Sequence, residues 1–148
     1  IHLSGDLMFQ TDKATLTRWA NPELRKLGRL LRRSDTESIV VQGHTDIRGT
    51  SRHNLDLSKR RAAAIRLWLV RRRAVDADKA SISAMGETHP LVDAGDNVDL
   101  MRFNRRVEII IQCADAVSTK VAKRTYPSRR VHTERGRTVP ASAAEAPP

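Results

Sequence analysis

Apolar residues along the chain change their period several times, and each change marks an element. Ile1, Leu3, Leu7 and Phe9 stand on either side of Gly5, which predicts a strand with a bend or bulge. The segment "QTDKATLTRWA" then reads as a loop. Asn21-Pro22 predicts a helix start, with Asn as the cap and Pro at the first helical position. Leu24, Leu27, Leu30 and Leu31 form one stripe beyond it, opposite Arg25, Lys26, Arg29, Arg32 and Arg33. Such an amphipathic pattern describes a helix of roughly twelve residues whose basic side is a solvated face. Trp19 is expected to pack beneath it.

"SIVVQG" is a short apolar strand closed by the loop "HTDIRG". A second helix is expected from about Ser51 to Arg73, with Thr50 as its N-cap. Its stripe is Leu57, Ser58, Arg61, Ala62, Ile65, Trp68 and Leu69, at spacings that share one face. A turn and a strand around Ala80 to Met85 follow, then a loop rich in turn residues, "ETHPLVDAGDN". Asp96 or Asn97 is placed to cap a short helix, "VDLMRFN". In the closing strand, "RRVEIIIQ", Val107, Ile109 and Ile111 alternate against Glu108.

The expected order is β-α-β-α-β-(α)-β. That is an α+β domain over residues 1–112, its helices packed on one face of a mixed sheet. Residues 113–148 lose all apolar period, are basic and end in Ala, Pro and Ser, so they read as a tail that is disordered or ordered only on binding.

Charge narrows the classes of partner. A net charge of +10 and a pI near 10.9 make nucleic acid, anionic lipid or an acidic polymer the partners to weigh. The charge is spread out: residues 1–112 hold 20 Lys and Arg against 14 Asp and Glu, and residues 113–148 hold 7 against 3. With aromatics at 3% of the chain, a base-stacking reader of nucleic acid is disfavoured. Cys113 stands alone, which excludes an internal disulfide and a cysteine-based zinc site. No run of eighteen apolar residues is present to span a membrane. The chain opens on Ile1 without a signal peptide, as a processed product or an excised piece would.

The chemistry concentrates in "GHTDIRGTSRHNLDLSKRRA". Arg61 sits on an apolar stripe, and a guanidinium there needs an acceptor, because it carries five donors and stays charged. Either Asp46, fifteen residues earlier on a strand-end loop, is that acceptor, or a ligand is. His44, Asp46 and His53 are too few, at unusual spacing, for a metal site. Ser58 with His44 and Asp46 makes a hydrolytic triad only on paper, since Ser58 is inside a helix and not on a strained elbow. No enzyme and no cofactor are expected.

This segment resembles the signature of the OmpA-like peptidoglycan-binding domain, through Gly43, Thr45, Asp46, Gly49, Asn54, Leu57, Ser58, Arg61 and Ala62. "GDLMFQTDKATL", "ISAMGETHP" and "NRRVEI" are similar to the family's opening strand and loop, third strand and closing strand, in the same order. The resemblance covers about residues 3–112. It implies non-covalent attachment to peptidoglycan through the diaminopimelate of the stem peptide. Asp46 would take that group's ammonium and Arg61 its carboxylate. Thr45, Asn54 and the loop Gln10 to Asp12, with Thr11 and Asp12, would line the pocket, and Arg105 or Arg106 would close one side. The expected setting is the periplasm, as an anchor for a larger envelope protein or as part of an envelope machine such as a flagellar stator or secretion system. Other envelope proteins or a second copy of the chain are further partners, and no specific nucleic acid is expected.

Overall fold

The computed structural model describes residues 1–114. The basic tail expected beyond Cys113 lies outside the described residues, apart from Ala114. In chain order the elements are β1 (His2–Ser4), α1 (Gly5–Met8), α2 (Ala20–Arg33), β2 (Thr36–His44), α3 (Ser51–Arg71), β3 (Ala80–Gly86), α4 (Val98–Asn104) and β4 (Arg106–Cys113). The sheet order is β1-β4-β2-β3, antiparallel except for the parallel β2/β3 pair that α3 connects. The expected α+β architecture with a mixed sheet is what forms.

Alternation sets the two faces of the sheet. Leu3, Ile39, Val41, Val107 and Ile109 point into one core with Leu24, Leu27 and Leu31 of α2 and Ala62, Ile65 and Leu69 of α3. Thr50 caps α3 as expected, its hydroxyl accepting from the His53 N–H at 3.2 Å. Asn97 caps α4, its side chain accepting from the N–H groups of Asp99 and Leu100.

Three expectations change. The opening segment is not a bent strand: after Ser4 the chain makes one helical turn, α1, before Phe9 pairs with Leu16 in an isolated bridge. Gly5 is the reason. Its N–H donates to Arg105 O at 2.7 Å, and an added Cβ would lie 2.7 Å from that same oxygen. Next, α2 begins two residues early, so Asn21 is not its cap; the Asn21 side chain instead accepts from the Trp68 indole N–H at 3.0 Å. Pro22 is tolerated there because first-turn N–H groups have no partner within the helix. Finally, Trp19 and Leu30 are 57% and 49% exposed, so neither joins the core. Trp68 does pack against it, half-buried.

The close approach of β2 to α3 sets the position of everything after it. A Cβ on Gly43 would stand 2.1 Å from the backbone oxygen of Ser58. Ser58 is fully buried; its hydroxyl donates to Leu55 O at 2.8 Å and accepts from the Gly86 N–H at 3.1 Å. Gly43→Ala should therefore force α3 off the sheet and lower stability by about 3 kcal/mol or more, read as a shift in the denaturant midpoint. An unchanged midpoint would contradict this packing.

Candidate functional site

Where β2 ends, Thr45 still pairs with β3, its N–H donating to Gly86 O at 2.8 Å, and Asp46 starts the loop into α3. The Asp46 carboxylate is only 5% exposed. Its Oδ1 accepts from the Arg48 N–H at 3.1 Å, and its Oδ2 accepts from Arg48 Nε (3.0 Å), Arg48 Nη2 (2.8 Å) and Arg105 Nη1 (2.7 Å). Burial alone would raise the Asp46 pKa. The hydrogen bonds from Arg48 and Arg105 outweigh it and hold the group below the ordinary carboxylate value, so Asp46 is an anion at neutral pH.

Asn54, in the first turns of α3, fastens this loop. Its amide donates to Asp46 O at 3.2 Å and to the Glu87 carboxylate, which also accepts from the Ser51 hydroxyl at 2.5 Å. Both loops at this end of the sheet are thereby tied to the start of α3. The Thr45 hydroxyl is buried and has no hydrogen-bond partner among the described residues.

Arg61 lies two turns further along α3 and is 5% exposed. It does not pair with Asp46. Its Nε donates to Lys13 O at 3.0 Å and its guanidinium sits 5.2 Å over the Phe9 ring, while its two terminal nitrogens bond to no group among the described residues. Arg105 has the opposite situation. It grips Asp6 through two bonds of 2.7 and 2.6 Å as well as Asp46, which raises its pKa and locks its charge.

These groups line one cleft of about 510 Å³, formed by Asp6, Phe9, Thr11, Asp12, Thr45, Asp46, Arg48, Gly49, His53, Asn54, Leu57, Arg61 and Arg105. Seven of the eight residues expected at the site converge there: Asp46, Arg61, Thr45, Asn54, Thr11, Asp12 and Arg105. Arg106 does not. Alternation along β4 turns it to the other side, where it donates to Glu108 at 2.7 Å and to His89 O at 3.2 Å. Asp12 holds a left-handed backbone, φ 54°, and pairs with His53 at 2.8 Å. Asp6, Arg48 and His53 were missed from sequence. The one local signal was the Asp46-x-Arg48 spacing, since an aspartate often accepts from the backbone two residues on.

The lining contains three aspartates and three arginines. Asp6 and Asp46 share Arg105, Asp46 also holds Arg48, and Asp12 holds His53. Arg61 is left as the cation that no carboxylate meets. Ser58 is committed to backbone partners and His44 lies outside the lining, so the triad read on paper does not assemble.

Fold and cleft together define a small α+β domain whose cleft brings carboxylates and guanidinium groups together. The chain belongs to the OmpA family, whose sequence model matches residues 8–105. It is 34% identical over 128 residues to outer membrane protein A of Escherichia coli O157:H7, covering 80% of this chain and 37% of that one. Among solved structures it resembles the cell wall anchor of the T6SS from Pseudomonas aeruginosa (26% identity, TM-score 0.68, covering 76% of this chain and 80% of that one). It also resembles the peptidoglycan-associated lipoprotein from Burkholderia pseudomallei (28% identity, TM-score 0.63, covering 72% and 88%). The chain spans between 13% and 55% of the length of the first curated relatives it matches.

Beside the cleft, His44 is 3% exposed and neither ring nitrogen has a hydrogen-bond partner among the described residues; Glu108 Oε1 is 3.8 Å away. Burial, reinforced by the Arg106 charge, pushes its pKa down to about 4 from 6.5. Between those values the unfolded chain binds a proton that the folded chain refuses. Stability should therefore fall as pH drops through this window, by up to roughly 3 kcal/mol. His44→Leu should remove that slope and raise stability at neutral pH, measured by denaturant unfolding at several pH values.

Proposed function

We propose that this domain binds peptidoglycan non-covalently in the periplasm and holds an envelope protein to the cell wall, and that the cleft receives the zwitterionic end of diaminopimelate. The observation that carries the reading is Arg61: a buried guanidinium whose terminal nitrogens face a cleft and meet no carboxylate, with an ionised Asp46 in the same lining. A ligand carboxylate supplies the planar two-point acceptor that a guanidinium fork matches. The ligand ammonium goes to Asp46. The names of two similar structures, a cell wall anchor and a peptidoglycan-associated lipoprotein, support the same reading.

Asp46 is not empty, so the ammonium must replace a cation. Arg105 is held at two aspartates, whereas the Arg48 side chain is 55% exposed and bonds only to Asp46. Arg48 is the group that gives way. Thr45 and Asn54 then position the ligand's ammonium end, Thr45 through its unpartnered hydroxyl and Asn54 by fixing the Asp46 backbone. The chemistry is recognition rather than catalysis. Likeness to the secretion-system anchor also supports a second setting, in which the same wall contact serves assembly of an envelope machine.

Calorimetry with diaminopimelate-type and lysine-type stem peptides, alongside sedimentation with purified sacculi, tests this. Asp46→Ala and Arg61→Ala should each weaken diaminopimelate peptide binding by at least about thirtyfold, the cost of removing one partner of a buried charge pair. Lysine lacks the second carboxylate, so its peptide should bind the parent weakly and be nearly indifferent to Arg61→Ala. Arg48→Ala should leave binding equal or tighter. Folded Asp46 and Arg61 variants that bound as well as the parent would sink the assignment.

A further inference from the structure

A second concentration of charge lies where α2 packs on the later turns of α3. Arg25, Arg29 and Arg32 of α2 and Arg72, just past α3, border a groove of about 350 Å³ floored by Gly28 and Trp68. All four arginines are exposed, and none has a carboxylate within ion-pair distance among the described residues. That contrasts with Arg48, Arg60, Arg105 and Arg106, each of which meets an acid. Like charges gathered in one groove repel one another, so the arrangement favours an anionic occupant.

The groove has a built floor. The Arg72 guanidinium lies 5.5 Å over the Trp68 ring, whose N–H is fixed by Asn21. A Cβ on Gly28 would stand 3.3 Å from Ala74 and 3.4 Å from Arg32, so α2 sits close against this end of α3. The same two helices and the chain leading into α2 also carry exposed apolar side chains. Leu30 is exposed on α2 between Lys26 and Arg33, Leu67 is exposed on α3, and Trp19 projects at the start of α2 with Arg18 stacked 4.4 Å over its ring. Arginines mixed with exposed leucine and tryptophan suit a membrane interface better than a soluble anion.

We propose that this arginine groove docks on the phosphate headgroups of an anionic lipid surface. The site is separate from the cleft. Asn54, at the cleft, and Trp68, at the groove, are fourteen residues apart on α3, roughly 21 Å along its axis. If the wall reading also holds, one rigid helix connects a wall contact to a membrane contact.

The test is sedimentation of the full 148-residue chain with vesicles of phosphatidylglycerol and phosphatidylcholine, and with phosphatidylcholine alone, at near-physiological salt and without peptidoglycan. The absence of wall material keeps the result independent of the cleft. The parent should bind the anionic vesicles. A variant carrying R25Q, R29Q, R32Q and R72Q should lose at least about thirtyfold, since each basic residue at an anionic surface contributes roughly fivefold. A charge-matched variant, K59Q, R60Q, K79Q and R102Q, should lose far less. Equal losses from both variants, or none from the first, would overturn the proposal. So would saturation of the Trp68 indole N–H signal by inorganic phosphate without vesicle binding, or binding to duplex DNA that outlasts vesicle binding as salt rises.

Discussion

The contact between Gly43 and Ser58 is the constraint on which the rest depends. A strand end and a helix meet there without side chains between them. The interval is closed by a hydroxyl bonded to β3, so one serine fixes α3 against two strands at once. Three residues beyond Gly43 stands Asp46, and three residues beyond Ser58 stands Arg61. The closeness of the backbones brings an anion and a cation to one cleft, yet offset enough that they do not pair. A larger residue at either position would separate the elements or change the angle between them.

Why Arg61 stays unpaired follows from where the aspartates are spent. Arg105 arrives from the opposite side, at the turn between α4 and β4, and its planar fork spans Asp6 and Asp46 together. A guanidinium held by two carboxylates is a fixed part of the wall. Asp12 is turned toward His53 by its left-handed backbone. Arg61 keeps a carbonyl and an aromatic face, enough to orient it and too little to satisfy its donors. An oriented cation thus stands beside an oriented anion, each fixed by its own partners.

Sequence made some of this legible and hid the rest for physical reasons. The α3 stripe was readable because burial follows the helical period, and Arg61 stood out by violating it. Asp46 was readable as a candidate acceptor for Arg61, whereas Thr45 and Asn54 were readable only through the family signature, since neither a strand-end residue nor a polar residue in a helix's first turns stands out by period. Arg48, Asp6 and His53 look like ordinary surface residues, and their roles depend on which loops the fold folds together. Trp19 and Leu30 failed for another reason: Leu30 lies about 100° around α2 from Leu31, off the buried stripe, and an aromatic ahead of the first turn has no helical phase to assign it inward. Gly5 was read as a bend, but the chain there makes a helical turn that starts where Gly5 comes close to Arg105 O. Arg105 and Arg106 could not be told apart until the strand phase of β4 was known.

Two populations of basic residues in this domain differ in what their charge meets. Arg105 and Arg106 are paired, partly buried and held to their acids by short bonds, so their charge is consumed within the fold. Those of the α2 and α3 groove are exposed and unmatched, so their charge projects into solvent. Net charge alone treats the two alike. The exposed, unmatched arginines project a field that extends about a Debye length, about 8 Å at physiological salt, and four of them meet at the α2 and α3 groove. Arg61 belongs to neither population: it is buried as the first are and unmatched as the second are. A charge in that position is costly to a folded protein, and a carbonyl and an aromatic face offset only part of that cost.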